Sequence, residues 1–249
     1  MDILFTICGR AGSKGIKNKN IRKFLGYHLP LYTLSAIDLY LKKHQNLSAD
    51  IVFNTDSEEL IQIANTNGLR DVNTIRREEK LGGDSVAKIE VILDCLNQME
   101  IIKQKRYNMV VDLDITSPLR TVRDIENLVN KKLETDCDVV FSVTDSRRNP
   151  YFNMVKKNEK GYGKVIESNF VTRQEAPEIF DMNASMYAYN SEYLKSGRGV
   201  LDGYSEIIKM YDTGILDLDH ENDFELMEVI AKYLFEKNDE YGEIRKNLG

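Results

Sequence analysis

Apolar positions along the chain follow two alternating rhythms. Ile3–Cys8 is a short run apolar on both faces, as a central parallel strand is, and Asp50–Thr55, Met109–Leu113 and Asp138–Val143 read as further strands. A shorter run lies near Val72–Ile75. Between them, apolar residues recur at helical spacing: Leu31, Leu34, Ile37 and Leu41; Leu60, Ile63 and Ala64; Ile89, Ile92, Leu93 and Leu96; Ile125, Leu128, Val129 and Leu133. The punctuation agrees. Pro30 suits a first helical turn, Asp56-Ser57-Glu58-Glu59 supplies a cap and first-turn acids, Gly68 can end that helix, and Ser85 is expected to cap the next. Strand–helix alternation predicts an α/β fold of three layers around a mostly parallel sheet, with residues 1–249 as a single domain. Ligands of such sheets bind beyond the carboxyl ends of the strands. The loops after Cys8, Thr55, Ile75 and Leu113 should therefore share one mouth.

The rhythm breaks between about Asn149 and Tyr189, where strands and turns are expected without a helix. Tyr151, Phe152 and Val155 can pair with Val165 and Ile166 as a hairpin around Glu159–Gly163. A lone hairpin buries little, so this β-rich insertion, about 149–189, is expected to pack on another subunit. A last helix is expected from Phe224 to about Phe235.

Composition adds constraints. A formal net charge of −6 argues against nucleic acid as the main partner, so an anionic substrate would need local positive charge. The three cysteines, Cys8, Cys95 and Cys137, lack metal-ligand spacing and are read as reduced, which points to the cytoplasm. No apolar run approaches the length that spans a bilayer, and the first residues lack a signal-peptide pattern. His28, His44 and His220 are scattered and read as surface or turn residues.

Three loops carry chemistry. After the first strand, Gly9-Arg10-Ala11-Gly12-Ser13-Lys14-Gly15 leads to Lys19-Asn20; glycines let N–H groups close on an anion, and Arg10 and Lys14 add charge. It is neither a Walker A loop nor G-x-G-x-x-G. Asp114-Ile115-Thr116-Ser117-Pro118-Leu119-Arg120 is either a turn into a helix or a substrate wall. Asp217-Leu218-Asp219 places two carboxylates on one face of an extended segment, where a hard cation such as Mg²⁺ would relieve their repulsion; a solvated acidic turn is the alternative, and it accounts well for Glu221 and Asp223.

In this order, with Thr55-Asp56-Ser57, Arg77 through Leu81 and Asp84, these motifs resemble the cytidylyltransferases that activate sialic-acid-like sugars as CMP derivatives. Arg147-Arg148-Asn149-Pro150-Tyr151-Phe152-Asn153, Thr172-Arg173-Gln174-Glu175-Ala176-Pro177 and Asp181-Met182-Asn183-Ala184-Ser185-Met186-Tyr187 look most like the members acting on legionaminic acid. Neuraminic-acid enzymes more often carry Gln where this chain has Asp114. The resemblance implies a Rossmann-like nucleotidyltransferase fold, CTP and a nonulosonic acid as substrates, Mg²⁺ or another divalent cation, and a homodimer exchanging its β arm. It implies nucleotide contacts from Arg10, Ala11, Gly12, Ser13, Lys14, Asn20, Arg77 and Asp84. Metal ligands would be Asp217 and Asp219, which with Arg10 and Lys14 form the catalytic set. Sugar contacts would come from Asp114, Thr116, Ser117, Arg120, Arg173, Gln174 and Asn183, with Arg173 and Gln174 reaching a partner subunit's site. Activity on neuraminic or pseudaminic acid, a glycosyltransferase using Asp217-x-Asp219, and a nucleotide-binding regulator without turnover are the other readings.

Overall fold

The computed structural model describes residues 1–12, 15–83, 86–213, 218 and 220–249, with Arg173 described by its backbone. In chain order the strands are β1 (Asp2–Cys8), β2 (Lys23–Phe24), β3 (Tyr27–His28), β4 (Ser48–Thr55), β5 (Asn73–Arg76), β6 (Met109–Leu113), β7 (Val139–Asp145), β8 (Val155–Asn158), β9 (Gly161–Lys164), β10 (Phe180–Asn190) and β11 (Ser205–Lys209). The helices are α1 (Leu29–Lys43), α2 (Glu58–Asn65), α3 (Lys88–Lys103), α4 (Val122–Glu134), α5 (Ser191–Lys195), α6 (Glu221–Lys237) and α7 (Asp239–Lys246). Among the described residues the main sheet runs β11-β7-β10-β6-β1-β4-β5. All its pairings are parallel except those of β10, which is antiparallel to both β6 and β7.

Strand alternation builds the three layers. Ile3, Phe5 and Ile7 of β1 join a core with α1, α2, α4, α6 and α7, while Leu4 points the other way, to α3 and α5. Both faces of β1 are therefore buried, as its unbroken apolar run requires. Ser57 caps α2 by accepting from the Leu60 N–H, and Thr121 forms a capping box with Asp124 on α4. The last helix returns to the first: Ser35 Oγ donates to the Ile244 carbonyl at 2.8 Å, and Asn247 Nδ2 donates to Asp38 Oδ2 at 3.0 Å.

Several expectations change. The third helix begins at Lys88 with Ala87 at the cap position and no side-chain cap; Ser85 lies outside the described residues. Residues Phe180–Asn190, expected in the insertion, form a long strand inside the main sheet. The bulge between Met182 and Tyr187, with Ala184 at φ 50°, breaks the alternation that would have marked it as a core strand. What stands outside the sheet is 149–179, with the β8–β9 hairpin turning at Glu159-Lys160; Tyr151 and Phe152 precede its strands. Asn149 ties this arm at both ends, its carbonyl accepting from the N–H groups of Phe152, Asn153 and Met154 and its Nδ2 donating to the Pro177 carbonyl. The final helix is longer than expected, and α5, β11 and α7 were not foreseen. Each is short, or polar enough that no periodicity stands out. No helix among the described residues is long and apolar enough to cross a membrane.

Candidate active site

The parallel strands β1, β4, β5 and β6 end at the same level, and their loops close on one another as the topology requires. Ala11 N–H donates to Asp56 Oδ1 at 2.6 Å, joining the loops after β1 and β4. Arg10 reaches the Gly82 carbonyl (3.4 Å) in the loop after β5, and Asn20 Nδ2 holds the Arg10 carbonyl at 3.0 Å. Gly9 sits in a close approach: a Cβ there would stand 2.6 Å from Ile115 Cδ1, and that side chain would have to shift. Gly12 turns through φ +72°, the left-handed region that glycine enters without strain.

These loops enclose a cavity of about 430 Å³. Arg10, Gly15, Lys19 and Asn20 of the first loop line it, as do the apolar Leu81, Val86 and Val91, and Cys8, Arg77, Lys88, Asp114 and Thr116 complete the lining. Arg77 is buried; its Nε donates to Asn54 Oδ1 at 2.7 Å and its Nη2 to the Asn54 carbonyl at 3.2 Å, so the end of β4 fixes the guanidinium. Of the residues expected to bind nucleotide or substrate, Arg10, Asn20, Arg77, Asp114 and Thr116 thus converge on one cavity. Ala11 and Gly12 belong to the same loop, but the Ala11 N–H is taken by Asp56 rather than open to a ligand. Ser13, Lys14, Asp84, Asp217 and Asp219 lie outside the described residues, as does the Arg173 side chain.

Four expected sugar contacts sit elsewhere. Arg120 is buried within the protein, and its donors meet protein oxygens: Nη2 donates to the Asp114 carbonyl (3.0 Å) and the Ser185 carbonyl (2.8 Å), and Nη1 to Thr33 Oγ1 (3.3 Å). Burial pushes this guanidinium down to about 10, countered by the charge of Asp114. Arg120 therefore clamps the loop after β6 to the β10 bulge instead of facing a ligand. Ser117 Oγ donates to Ser185 Oγ at 2.8 Å, and Asn183 Oδ1 accepts from Ser142 Oγ at 2.6 Å, so both belong to that interior network. Gln174 lines a different cavity, about 500 Å³, at the base of the arm with Arg148, Asn149 and Lys209.

The sequence reading missed Lys88 and Asp112. Lys88 Nζ lies 2.7 Å from Asp112 Oδ2 and 2.7 Å from Asp114 Oδ2. The Asp114 contact is a well-aligned hydrogen bond; the Asp112 contact is close but poorly aligned, so it acts as an ion pair. Asp112 is fully buried, and its Oδ1 accepts from Thr6 Oγ1 at 2.8 Å. Asp114 Oδ1 accepts from both the N–H and the hydroxyl of Thr116, each at 2.7 Å. Burial alone would raise the Asp114 carboxyl, but Lys88 and Thr116 outweigh it and hold it at about 2. Burial likewise opposes the Lys88 charge, yet the two carboxylates raise its pKa well above the ordinary lysine value. Two signals were available: an aspartate inside an otherwise apolar strand needs a partner, and a lysine in a helix's first turn opposes the helix dipole.

A sheet whose carboxyl edge carries a cation-rich, glycine-turned loop beside an apolar slot is the architecture of a nucleotide-binding α/β enzyme. The cytidylyltransferase family matches residues 4–238, and the chain belongs to that family of nucleotidyltransferases. It is 36% identical over 240 residues to post-translational flagellin modification protein B of Campylobacter coli, covering 95% of this chain and 97% of that one. It is also 36% identical over 230 residues to the CMP-N,N'-diacetyllegionaminic acid synthase of Campylobacter jejuni, covering 92% and 94%. A solved structure of CMP:2-keto-3-deoxy-manno-octonic acid synthetase complexed with CTP superimposes with a TM-score of 0.63 over 94% of this chain and 99% of that one, at 13% identity. At that identity the likeness speaks for the fold, which is the expected Rossmann-like one.

Proposed function

We propose that this chain condenses CTP with a nonulosonic acid, legionaminic acid or a derivative, to give the CMP-sugar and pyrophosphate. The observation that carries the reading is the cavity itself, lined by Arg10, Lys19 and Arg77 together with the apolar Leu81, Val86 and Val91. Relatives that share 36% of their residues over nearly the whole chain, one of them named for CMP-diacetyllegionaminate synthesis, support the sugar.

In this mechanism the sugar's 2-hydroxyl attacks the α-phosphorus of CTP and pyrophosphate departs. The protein's contribution is alignment and charge stabilisation. Arg10 and Lys14 oppose charge that grows on the α-phosphate and the leaving group, Arg77 stays fixed by Asn54, and Leu81, Val86 and Val91 accept the flat base. Asp217 and Asp219 would hold a divalent cation, which when bound offsets triphosphate charge. The donor chemistry fits: two carboxylates at alternate positions are hard oxygen ligands. Leu218 between them is buried, and its carbonyl accepts from Lys19 Nζ at 2.7 Å, which brings the chain to the cavity's edge at that residue.

The same reading makes the protein a cytoplasmic homodimer. The free cysteines support a reducing compartment. Met154, Val155, Tyr162 and Val171 are exposed on or beside the β8–β9 hairpin and support an arm that lies on a second copy. There Arg173 and Gln174 would reach the partner's sugar site.

Incubating the protein with CTP, Mg²⁺ and a panel of nonulosonic acids, and reading both pyrophosphate and CMP-sugar, tests the proposal. Turnover should be highest with legionaminic acids. An apolar pocket rejects an added hydroxyl only modestly, so neuraminic acid should react at a rate lower by a moderate factor. Release of pyrophosphate without CMP-sugar, or equal kcat/KM across the panel, would remove the assignment.

A further inference from the structure

The mechanism above leaves the charged cluster in the cavity lining unused. Asp114 follows β6 directly, and β6 is in register with β1 such that Thr6 is level with Asp112. Asp114 therefore stands beside Cys8, where the phosphate-facing loop begins. The same cavity is lined by the polar Arg10, Lys19 and Asn20 and by the apolar Leu81, Val86 and Val91. A nucleoside triphosphate whose phosphates meet the first group and whose base meets the second leaves its ribose for lining residues that belong to neither, and Lys88 and Asp114 are among these.

The donors and acceptors there can be followed atom by atom. Asp114 Oδ1 takes two hydrogen bonds from Thr116 and has no lone pair left over. Its Oδ2 takes one from Lys88 and keeps one acceptor direction. Lys88 has three N–H donors; among the described residues one is hydrogen-bonded to Asp114, and the ammonium also ion-pairs with Asp112. Its side chain stays 34% exposed and lines the cavity, so a tetrahedral ammonium held on one side by two carboxylates presents its third donor to the open side. One donor and one acceptor stand side by side, on Nζ and Oδ2 atoms 2.7 Å apart. A vicinal diol complements such a pair: one hydroxyl donates to the carboxylate while its neighbour accepts from the ammonium. Asp112, fully buried and tied to Thr6, keeps Lys88 from swinging away.

We propose that Lys88 and Asp114 together recognise the 2′,3′-diol of the nucleotide ribose, with Lys88 the residue that makes the site select ribonucleotides. This rests on the cytidylyltransferase reading, whose phosphate and base contacts locate the ribose. It assigns Asp114 to the nucleotide rather than to the sugar acid.

The test compares dissociation constants of CTP, 2′-deoxy-CTP, 2′,3′-dideoxy-CTP and UTP, measured calorimetrically with Mg²⁺ for the native protein, Lys88→Met and Lys88→Arg. Hydrogen bonds to charged groups imply that the native protein prefers CTP over the dideoxy analogue by roughly tenfold to a hundredfold. Lys88→Met should bring that ratio close to one while leaving the CTP-to-UTP ratio unchanged. Lys88→Arg keeps a cation between the two carboxylates and so guards against loss of the fold; it should narrow the diol ratio at least about threefold, because a planar fork cannot reproduce a tetrahedral third donor. A native ratio near one overturns the proposal without any variant. So does an unchanged diol ratio in the folded variants, an equal loss for all four nucleotides, or a collapse of the CTP-to-UTP ratio instead, which would assign the pair to the base. Failure of the native protein to bind CTP at all is a separate result that defeats the cytidylyltransferase reading itself, and this proposal with it.

Discussion

The two halves of the molecule solve different problems. From β5 to β6 the sheet is parallel and covered on both faces, and every loop at its carboxyl edge is tied to a neighbour: Ala11 to Asp56, Arg10 to Gly82, Arg77 to Asn54, Lys88 to Asp112 and Asp114. The arm at 149–179 is tied to the body mainly around Asn149 and leaves Val155, Tyr162 and Val171 exposed. One region is preorganised, so its side chains are held before a ligand arrives. The other is a surface whose burial awaits a partner. Between them the β10 bulge and Arg120 form the joint.

The joint is the most direct place to break that contrast. Arg120→Ala leaves the Asp114 and Ser185 carbonyls without their buried donor, and losing one side of a buried charged network costs about 3–5 kcal/mol. Denaturant unfolding should show a loss of that size, together with reduced turnover as the loop after β6 loosens. Within the preorganised half, Arg10→Ala should lower kcat about 100- to 1,000-fold while the melting temperature barely moves. Lys14→Ala should behave alike, and near-normal turnover in either variant would end their phosphate role.

A smaller effect depends on pH. The Asp114 carboxyl sits at about 2 in the folded protein against an ordinary 3.8. A lowered carboxylate contributes stability that is present above its unfolded value and is lost as pH falls through the folded one. Asp114→Asn should therefore cost about 2 kcal/mol at neutral pH, with the gap to the native protein closing between roughly pH 4 and pH 2. Denaturant midpoints across that range decide it; a gap that persists at pH 2 would mean packing, not charge. In the arm, Val155→Ser with Tyr162→Ser should change monomer stability by no more than about 0.5 kcal/mol, as exposed positions do. Sedimentation should nevertheless show a weakened dimer. An unchanged sedimentation profile would remove the arm from the interface.

The same contrast governs what could be read from the sequence. β1 announces itself because its run is apolar on both faces, β4 and β6 because each carries a short β-branched stretch, and the shared mouth follows from their parallel order. Arg10, Asn20, Arg77, Asp114 and Thr116, which the resemblance groups at the site, line one cavity because loops after neighbouring parallel strands close on one another. The resemblance places Arg120 at the sugar; only the packing reveals that β10 supplies its acceptors. β10 itself was hidden by its bulge, and the Lys88 cluster by the distance between its members, which sit on α3 and β6 and meet only in three dimensions.

The return of α7 to α1 also sets a timetable. The apolar face of α1 is complete once residue 43 has been made, yet Tyr241 and Ile244, which help to cover it, follow about 200 residues later. At about 5–20 residues per second, the nascent chain carries that open face for on the order of ten seconds or more before its cover emerges. A ribosome-bound chain arrested before α6 would hold the complete phosphate-facing loop and still be a client for chaperones, and the interval in which it is most prone to stick to its neighbours ends only when α7 has emerged.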